Sequence, residues 1–368
     1  MYKMIAFSTL AAFCVAGCKK KPDEAGSTTG SSTAPMTQED KGAAAKPPEP
    51  AGPVTVNGSG STFQKQFQEL AIEGFSKVDK DVKVNYGSGG SGKGRQDFSD
   101  MVTDYGCTDG LFKEADAAKA KGGQFLYFPI LLGAITVSYN VDGIDKLQLS
   151  GPTIAKIFQR EINKWNDKEI AADNPGVKLP STDIVVAHRS DGSGTTEQFT
   201  LYLNTATPDI WKLKSGATVE WPADTQAGNG NGGVAQIIKS TKGAIGYVDL
   251  PDAQAASLKF ATVKNQAGKF VEPSSDSASA AGDGIEVKDD LTYVSVNAKG
   301  EAAYPITAPT WCVAYAKQTD KAKGTAVKAY FKYMLTDAQA QIKAIGFAPL
   351  PKSLDDKAVA QLDKIQVP

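Results

Sequence analysis

Three short stretches combine glycine, serine and threonine in a pattern suited to one kind of chemistry, the holding of an anion. They are Gly58-Ser59-Gly60-Ser61-Thr62, the run from Gly87 to Gly94 that contains Ser91, and Arg189-Ser190-Asp191-Gly192-Ser193-Gly194-Thr195. Each precedes apolar residues at helical spacing: Phe63, Phe67, Leu70, Ala71 and Phe75; Phe98, Met101 and Val102; Phe199, Tyr202 and Leu203. A helix N-terminus carries unpaired N–H groups worth roughly half a positive charge, and glycine lets an anion approach them. Serine and threonine hydroxyls add donors at the same place. One such turn is ordinary capping chemistry. Three in one chain, one beside an Arg-x-Asp pair, point to an anion site.

Other chemistries fail on their own motifs. Gly87 to Gly94 comes close to a phosphate-binding GxxxxGK[ST] loop, but Gly94 stands where the magnesium-binding hydroxyl belongs. Neither Gly58-Ser59-Gly60 nor Gly192-Ser193-Gly194 fits a GxSxG nucleophile elbow, and His188 is the single histidine. Asp109 and Asp191 occur in no EF-hand or HExxH spacing, and the cysteines form no CxxC pair, so neither a metal site nor a catalytic constellation is expected.

The elements that must position these turns share one grammar. A β-branched strand (Val54-Thr55-Val56, Val82 to Tyr86, Ile184-Val185-Val186) leads into the turn, and an amphipathic helix follows. Further along, strand-like runs (Phe125 to Tyr139, Ala244 to Val248, Leu291 to Val296, Cys312 to Tyr315) alternate with helical ones (Thr153 to Gln159, Gly233 to Lys239, Ala326 to Met334). That alternation predicts an α/β fold with helices packed on sheets.

The amino terminus sets the compartment. Lys3 precedes an apolar stretch from Ile5 to Gly17, too short to span a bilayer, that ends in Val15-Ala16-Gly17-Cys18. Residues 1–17 read as a signal peptide, and the small residues before Cys18 match a lipobox, which makes Cys18 the expected lipid anchor and the protein extracytoplasmic. An ordinary secretory signal is the alternative. Residues 18–52 are rich in Gly, Ser, Ala, Pro, Lys and Glu, unable to bury enough apolar surface to offset ordering, and are expected to form a flexible linker. The remainder exceeds what one core usually organises and predicts two domains. A net charge of -1 argues against a nucleic-acid partner. Cys107 and Cys312 are the cysteines left over; an oxidising compartment permits a disulfide, and the sequence leaves their pairing open.

With those residues in hand, a family resemblance emerges. Asn57-Gly58-Ser59-Gly60-Ser61-Thr62-Phe63, Asp104-Tyr105-Gly106-Cys107-Thr108-Asp109 and Arg189 to Thr195 resemble the anion-contacting segments of the periplasmic phosphate-binding (PstS) family. The likeness continues through Lys164-Trp165-Asn166-Asp167, Asn174 to Pro180, Gly243 to Val248 and Tyr304-Pro305-Ile306-Thr307. It implies a two-lobed type II periplasmic-binding-protein fold, two α/β domains joined by a two-strand hinge, with crossings near Phe128 to Leu131 and Ile306 to Thr310. Lobe 1 would comprise residues 53–130 and 307–368, and lobe 2 residues 131–306.

The same resemblance implies a monomer without cofactor or catalytic activity that binds inorganic phosphate and delivers it to the inner-membrane permease of an ABC importer. It gives Thr62 and Phe63 as backbone donors, with the Thr62 hydroxyl adding another. Ser91 would contribute hydroxyl and N–H, Ser193, Gly194 and Thr195 a helix cap, and Arg189 a charged fork oriented by Asp191. Asp109 would carry selectivity, because phosphate near neutral pH keeps a proton for a buried carboxylate to accept and sulfate has none. Repulsion between unit charges 4 Å apart is ~4 kcal/mol at an effective dielectric of about 20, enough to reject sulfate about a thousandfold. The sequence departs from the commonest family pattern at His188 before Arg189, at Cys107, and at Gln64, where proline is common. Lys93 beside Ser91 is expected to face solvent. Competing readings are another tetrahedral oxyanion, a phosphoesterase, for which no nucleophile with its base is visible, and a phosphate sensor or surface adhesin.

Overall fold

A computed structural model describes residues 52–368. The signal peptide, Cys18 and the linker as far as residue 51 lie outside the described residues. The amino-terminal part alternates strictly: β1 (Val54–Gly60), α1 (Lys65–Val78), β2 (Val82–Gly87), α2 (Ser91–Ser99), β3 (Tyr105–Thr108), α3 (Glu114–Ala117) and the long β4 (Phe125–Asn140). Then come β5 (Gln148–Leu149), α4 (Gly151–Phe158), α5 (Lys168–Asp173), β6 (Val185–Arg189), α6 (Gly194–Ala206), β7 (Gln226–Gly228), α7 (Gly230–Ser240), β8 (Ala244–Asp249) and α8 (Leu250–Ala255). The last part holds β9 (Lys259–Phe260), β10 (Thr262–Lys264), β11 (Phe270–Val271), α9 (Ser275–Gly282), β12 (Thr307–Tyr315), α10 (Lys321–Leu335) and α11 (Lys352–Gln361).

Among the described residues, the main sheet runs β2-β1-β3-β12-β4-β8-β6-β7, with β9 also on β4, and a small sheet pairs β11-β10-β5. β1 pairs in parallel with β2 and β3, and β6 in parallel with β7 and β8, so each end of the sheet is built from βαβ units. The strands between them, β4 and β12, are antiparallel. β4 pairs with β12 over Phe125 to Ala134 and with β8 over Ile135 to Asn140, so one strand belongs to both ends. The result is two α/β lobes that share β4, with β12 alongside its first half. From Phe128 to Tyr139, β4 is an unbroken buried run, as expected of a strand covered on both faces. The register shifts between Thr310 and Trp311, where Pro129 faces Trp311 and Leu131 faces Thr310. Proline supplies no ladder donor, and the irregularity places one extra β4 residue, Ile130, against β12.

Two local expectations fail. Leu291 to Val296 is not a strand: Leu291 and Asn297 have positive φ (64° and 58°), and Asp290 Oδ1 accepts from the Thr292 backbone and hydroxyl, closing a turn. The segment is held on β12 by side chains instead, with Trp311 Nε1 donating to Leu291 O and Ser295 Oγ to Thr307 O. The second helix stops at Ser99. Met101 lies at φ 58° and is exposed together with Val102, so neither belongs to its buried face, which is Phe98 and its neighbours.

Among the described residues, no helix is long and apolar enough to cross a membrane. Cys107 and Cys312 face each other across β3 and β12 as register partners, both buried and both free, with sulfurs 2.6 Å apart.

Candidate functional site

The three turns, which follow β1, β2 and β6, meet beside the carboxyl end of β3. Gly60 ends β1 at φ 144°, and a Cβ there would lie 2.0 Å from the Cys107 carbonyl, so glycine is required for β1 and β3 to deliver their turns side by side. Ser61 N then donates to that carbonyl at 3.0 Å. Gly90 is the residue before α2, with φ 93°, and the helix opens on buried Ser91. In the other lobe Ser193 caps α6, its Oγ accepting from Thr196 N at 3.0 Å, so that Gly194 and Thr195 begin the helix. Helix α1 begins only at Lys65, after a turn through Thr62 and Phe63. There Phe63 N donates to Ser61 Oγ at 3.0 Å and its ring packs on Phe347 in the core.

Asp109 lies just past β3, 1% exposed. Its carboxylate accepts from three hydroxyls: Ser61 Oγ at 2.7 Å and Ser91 Oγ at 3.2 Å on Oδ2, and Thr310 Oγ1 at 2.7 Å on Oδ1. Burial pushes its pKa above the ordinary carboxylate value; the hydroxyl bonds and the nearby Arg189 charge pull the other way without cancelling it. The Asp109 carboxylate therefore does not cap the turn before Gly110. It is a desolvated acceptor shared by hydroxyls from three segments.

Arg189, at the end of β6, is 4% exposed. Its Nε donates to Asp191 Oδ1 at 2.8 Å and its Nη2 to Asp191 Oδ2 at 2.5 Å, the bidentate geometry that fixes a guanidinium plane. Burial raises the pKa of Asp191, but the Arg189 hydrogen bonds and charge, together with the Gly230 N–H, outweigh it and leave the carboxyl below its usual value. Nη1 reaches Asn231 Oδ1 at 2.7 Å and Thr195 Oγ1 at 3.4 Å. Asn231 Nδ2 donates to Asp249 Oδ2 at 2.5 Å and to Thr195 Oγ1 at 3.2 Å, which leaves the Thr195 hydrogen free to point at a ligand.

The lobes touch around this centre. Gly92 N donates to Gly192 O at 2.8 Å, Gln198 Nε2 to Asp109 O at 2.6 Å, and Asn231 N to Thr62 Oγ1 at 3.4 Å. Arg95 Nη1 and Glu197 Oε2 form an ion pair at 3.3 Å across the same junction. A Cβ on Gly194 would lie 2.4 Å from Ser91 Oγ and 2.5 Å from Asp109 Oδ2, so only glycine lets α6 approach this closely.

Eight sequence-derived candidates, Thr62, Phe63, Ser91, Asp109, Arg189, Ser193, Gly194 and Thr195, together with Asp191, thus gather at one junction. Lys93 pairs with Asp97 at 2.7 Å with its side chain 62% exposed, facing solvent as expected. His188 stacks on Trp221, its Nδ1 at 2.9 Å from Arg189 O, outside the constellation. Among the described residues, no cluster of three His, Cys, Asp or Glu side chains could hold a metal. Sequence reasoning missed Asn231 and the role of Thr310. Asn231 had a readable signal, since Gly228-Asn229-Gly230-Asn231-Gly232-Gly233 is a fourth strand-turn-helix stretch. Thr310 had none, because its place opposite Asp109 follows from the β3–β12 register, in which Trp311 faces Thr108.

Comparison with known proteins is consistent across sequence and structure. A PBP superfamily domain model matches residues 25–338. The chain is 34% identical over 359 residues to "Phosphate-binding protein PstS" of Xylella fastidiosa, covering 94% of each chain. It is 36% identical over 327 residues to the PstS of Methanocaldococcus jannaschii, covering 82% of this chain and 84% of the relative. Among solved structures it resembles a high-affinity periplasmic phosphate-binding protein (PfluDING) bound with phosphate, with TM-score 0.70, 22% identity and coverage of 84% and 94%. It also resembles the phosphate-binding protein of Stenotrophomonas maltophilia, with TM-score 0.67, 18% identity and coverage of 83% and 93%.

Proposed function

The chain belongs to the PBP superfamily and, within it, to the phosphate-binding PstS proteins, and from that premise we propose that it captures inorganic phosphate outside the cytoplasm and delivers it to an ABC import permease. It is a binding protein, not an enzyme. The observation that carries this reading is the buried Asp109 carboxylate held in the junction with the Arg189 fork. A fully ionised oxyanion would be drawn by the fork and repelled by the carboxylate, whereas phosphate satisfies both by donating its remaining proton. Thr62, Phe63, Ser91, Ser193, Gly194 and Thr195 surround the anion with neutral donors, and Asp191 holds Arg189 in place.

Lobe 1 is assigned to residues 53–130 and 307–368 and lobe 2 to residues 131–306, closing about β4 and β12 on the ligand. The protein is monomeric and held at the membrane by lipid on Cys18 after removal of residues 1–17. Calorimetric titration of protein stripped of bound anion tests the assignment. One-to-one binding of phosphate with no heat from sulfate is expected; silence toward phosphate overturns it. Mass spectrometry of the membrane-extracted protein tests the anchor, with an acylated Cys18 at the mature amino terminus as the expected result.

A further inference from the structure

A buried chain of side-chain amides runs from the interior of one lobe to Asp109. Tyr330 and Tyr105 hydroxyls donate to Gln68 Oε1 at 2.9 Å and 3.2 Å, and Gln68 Nε2 donates to Gln64 Oε1 at 2.9 Å. Gln64 Nε2 donates in turn to Thr310 Oγ1 at 2.6 Å, and Thr310 Oγ1 to Asp109 Oδ1 at 2.7 Å. Gln64, Gln68, Thr310, Tyr105 and Tyr330 are all fully buried. Gln64 and Gln68 sit one turn apart, at the entry to α1 and within its core-facing side.

The direction of this chain matters, because a run of hydroxyls and amides conducts in either sense until something fixes it. Gln64 Nε2 also lies 3.3 Å from the Trp311 carbonyl oxygen, which can only accept. The amide nitrogen must therefore face Trp311 and Thr310. The Thr310 oxygen then already holds one donated hydrogen, and of the two acceptors within reach of its own hydrogen, Asp109 Oδ1 at 2.7 Å and Thr108 O at 3.4 Å, the carboxylate is much the nearer. The opposite sense, with a protonated Asp109 donating to Thr310, would turn the Thr310 hydrogen to the more distant Thr108 carbonyl at 3.4 Å and give up its 2.7 Å donation to Asp109 Oδ1.

We infer that Gln64 is a specificity-positioning residue: through Thr310 it delivers a hydrogen to Asp109 and holds that carboxylate as an ionised acceptor, selecting an anion that brings its own proton. This deepens the proposed phosphate function and rests on it. The relay works against the burial that raises the Asp109 pKa, alongside the Ser61 and Ser91 hydroxyls. The charged and titratable groups around Asp109 are Arg189 from β6, Glu197 from α6 paired with Arg95 from α2, Cys107 and Cys312 from β3 and β12, and Tyr86 from β2. Of these only Cys312 touches Gln64 or Thr310, its Sγ donating to Gln64 Oε1 at 3.4 Å, so Thr310→Val removes the relay without disturbing the others.

The experiment compares wild type with Gln64→Met, Thr310→Val and Thr310→Ser, using the whole protein. Carboxyl-carbon NMR follows the titration of Asp109 without ligand, and calorimetry follows phosphate and sulfate binding from acid to neutral pH. Gln64→Met and Thr310→Val each move the Asp109 titration upward, weaken phosphate binding about tenfold at neutral pH, and shift its acid limb upward. Thr310→Ser keeps the hydroxyl and retains wild-type behaviour, which a purely packing role for the threonine methyl would not allow. An Asp109 titration unmoved in Gln64→Met and Thr310→Val, or a loss in Thr310→Ser equal to that in Thr310→Val, overturns the relay. If wild type ignores phosphate, the functional reading fails on its own, while the ligand-free titration still decides whether the relay tunes Asp109.

Discussion

The two walls of the site solve opposite electrostatic problems. On the β6 side a buried cation is compensated before any ligand arrives: Asp191 takes two donors of Arg189 and Asn231 a third. On the β3 side a buried carboxylate has no paired cation; burial raises its pKa, and hydroxyls and the more distant Arg189 charge only partly offset it, while the pKa of Asp191 falls. The first wall supplies attraction common to any oxyanion. The second imposes a cost that only a proton-bearing anion removes. On the proposed function, the Arg189 wall carries affinity and the Asp109 wall selectivity, and substitutions should separate them.

The largest expected effect comes from removing the cation. Arg189→Met leaves Asp191 half-buried without its partner and strips the site of its charged fork; truncating one member of a buried charge pair costs about 2–5 kcal/mol or more, and phosphate affinity should fall by about a thousandfold or beyond. Calorimetry checks this, and retained affinity would show that the neutral donors suffice. Next is the fit between the walls. Gly194→Ala places a methyl against Ser91 Oγ and Asp109 Oδ2, so closure, not folding, should fail. Phosphate affinity is expected to drop about a hundredfold with an unchanged ligand-free melting temperature, and small-angle scattering in saturating phosphate should report a more open molecule.

A smaller effect concerns stability. A carboxyl whose folded pKa is raised contributes stability that is fully present below its unfolded pKa and lost as pH rises through the folded one. Ligand-free wild type thus bears a cost at neutral pH that Asp109→Asn lacks. The variant should melt higher than wild type at neutral pH, and the gap should close as pH falls through the Asp109 titration. The smallest effect is at the rim. Arg95→Gln removes an inter-lobe ion pair that is partly exposed, worth about 0.5–1 kcal/mol, so phosphate should dissociate a few-fold faster with selectivity intact, read by stopped flow.

What the sequence disclosed follows the same division. The Arg189 wall is local: Arg189, Asp191, Ser193, Gly194 and Thr195 lie within one turn, so their types and spacing announce their roles. The Asp109 wall is assembled from distant segments. Ser61, Ser91 and Asp109 come from three separate segments, and Thr310 arrives from another strand through the β3–β12 register. Gln64 stood out in the sequence as a departure from the commonest pattern, yet its meaning needed the facing Thr310 and the Trp311 carbonyl. The alternating α/β grammar was readable because helices and strands there are long and periodic. Leu291 to Val296 misled because Thr292, Tyr293 and Val296 are buried without a ladder, Tyr293 packing edge-on against Trp311.

The most direct test of the account compares phosphate and sulfate affinities of wild type and Asp109→Asn in the same calorimeter at neutral pH. Wild type should bind phosphate and ignore sulfate, and the variant, able to donate where the carboxylate repelled, should bind both with the preference largely erased. A variant that still rejects sulfate as wild type does would contradict the assignment of selectivity to Asp109.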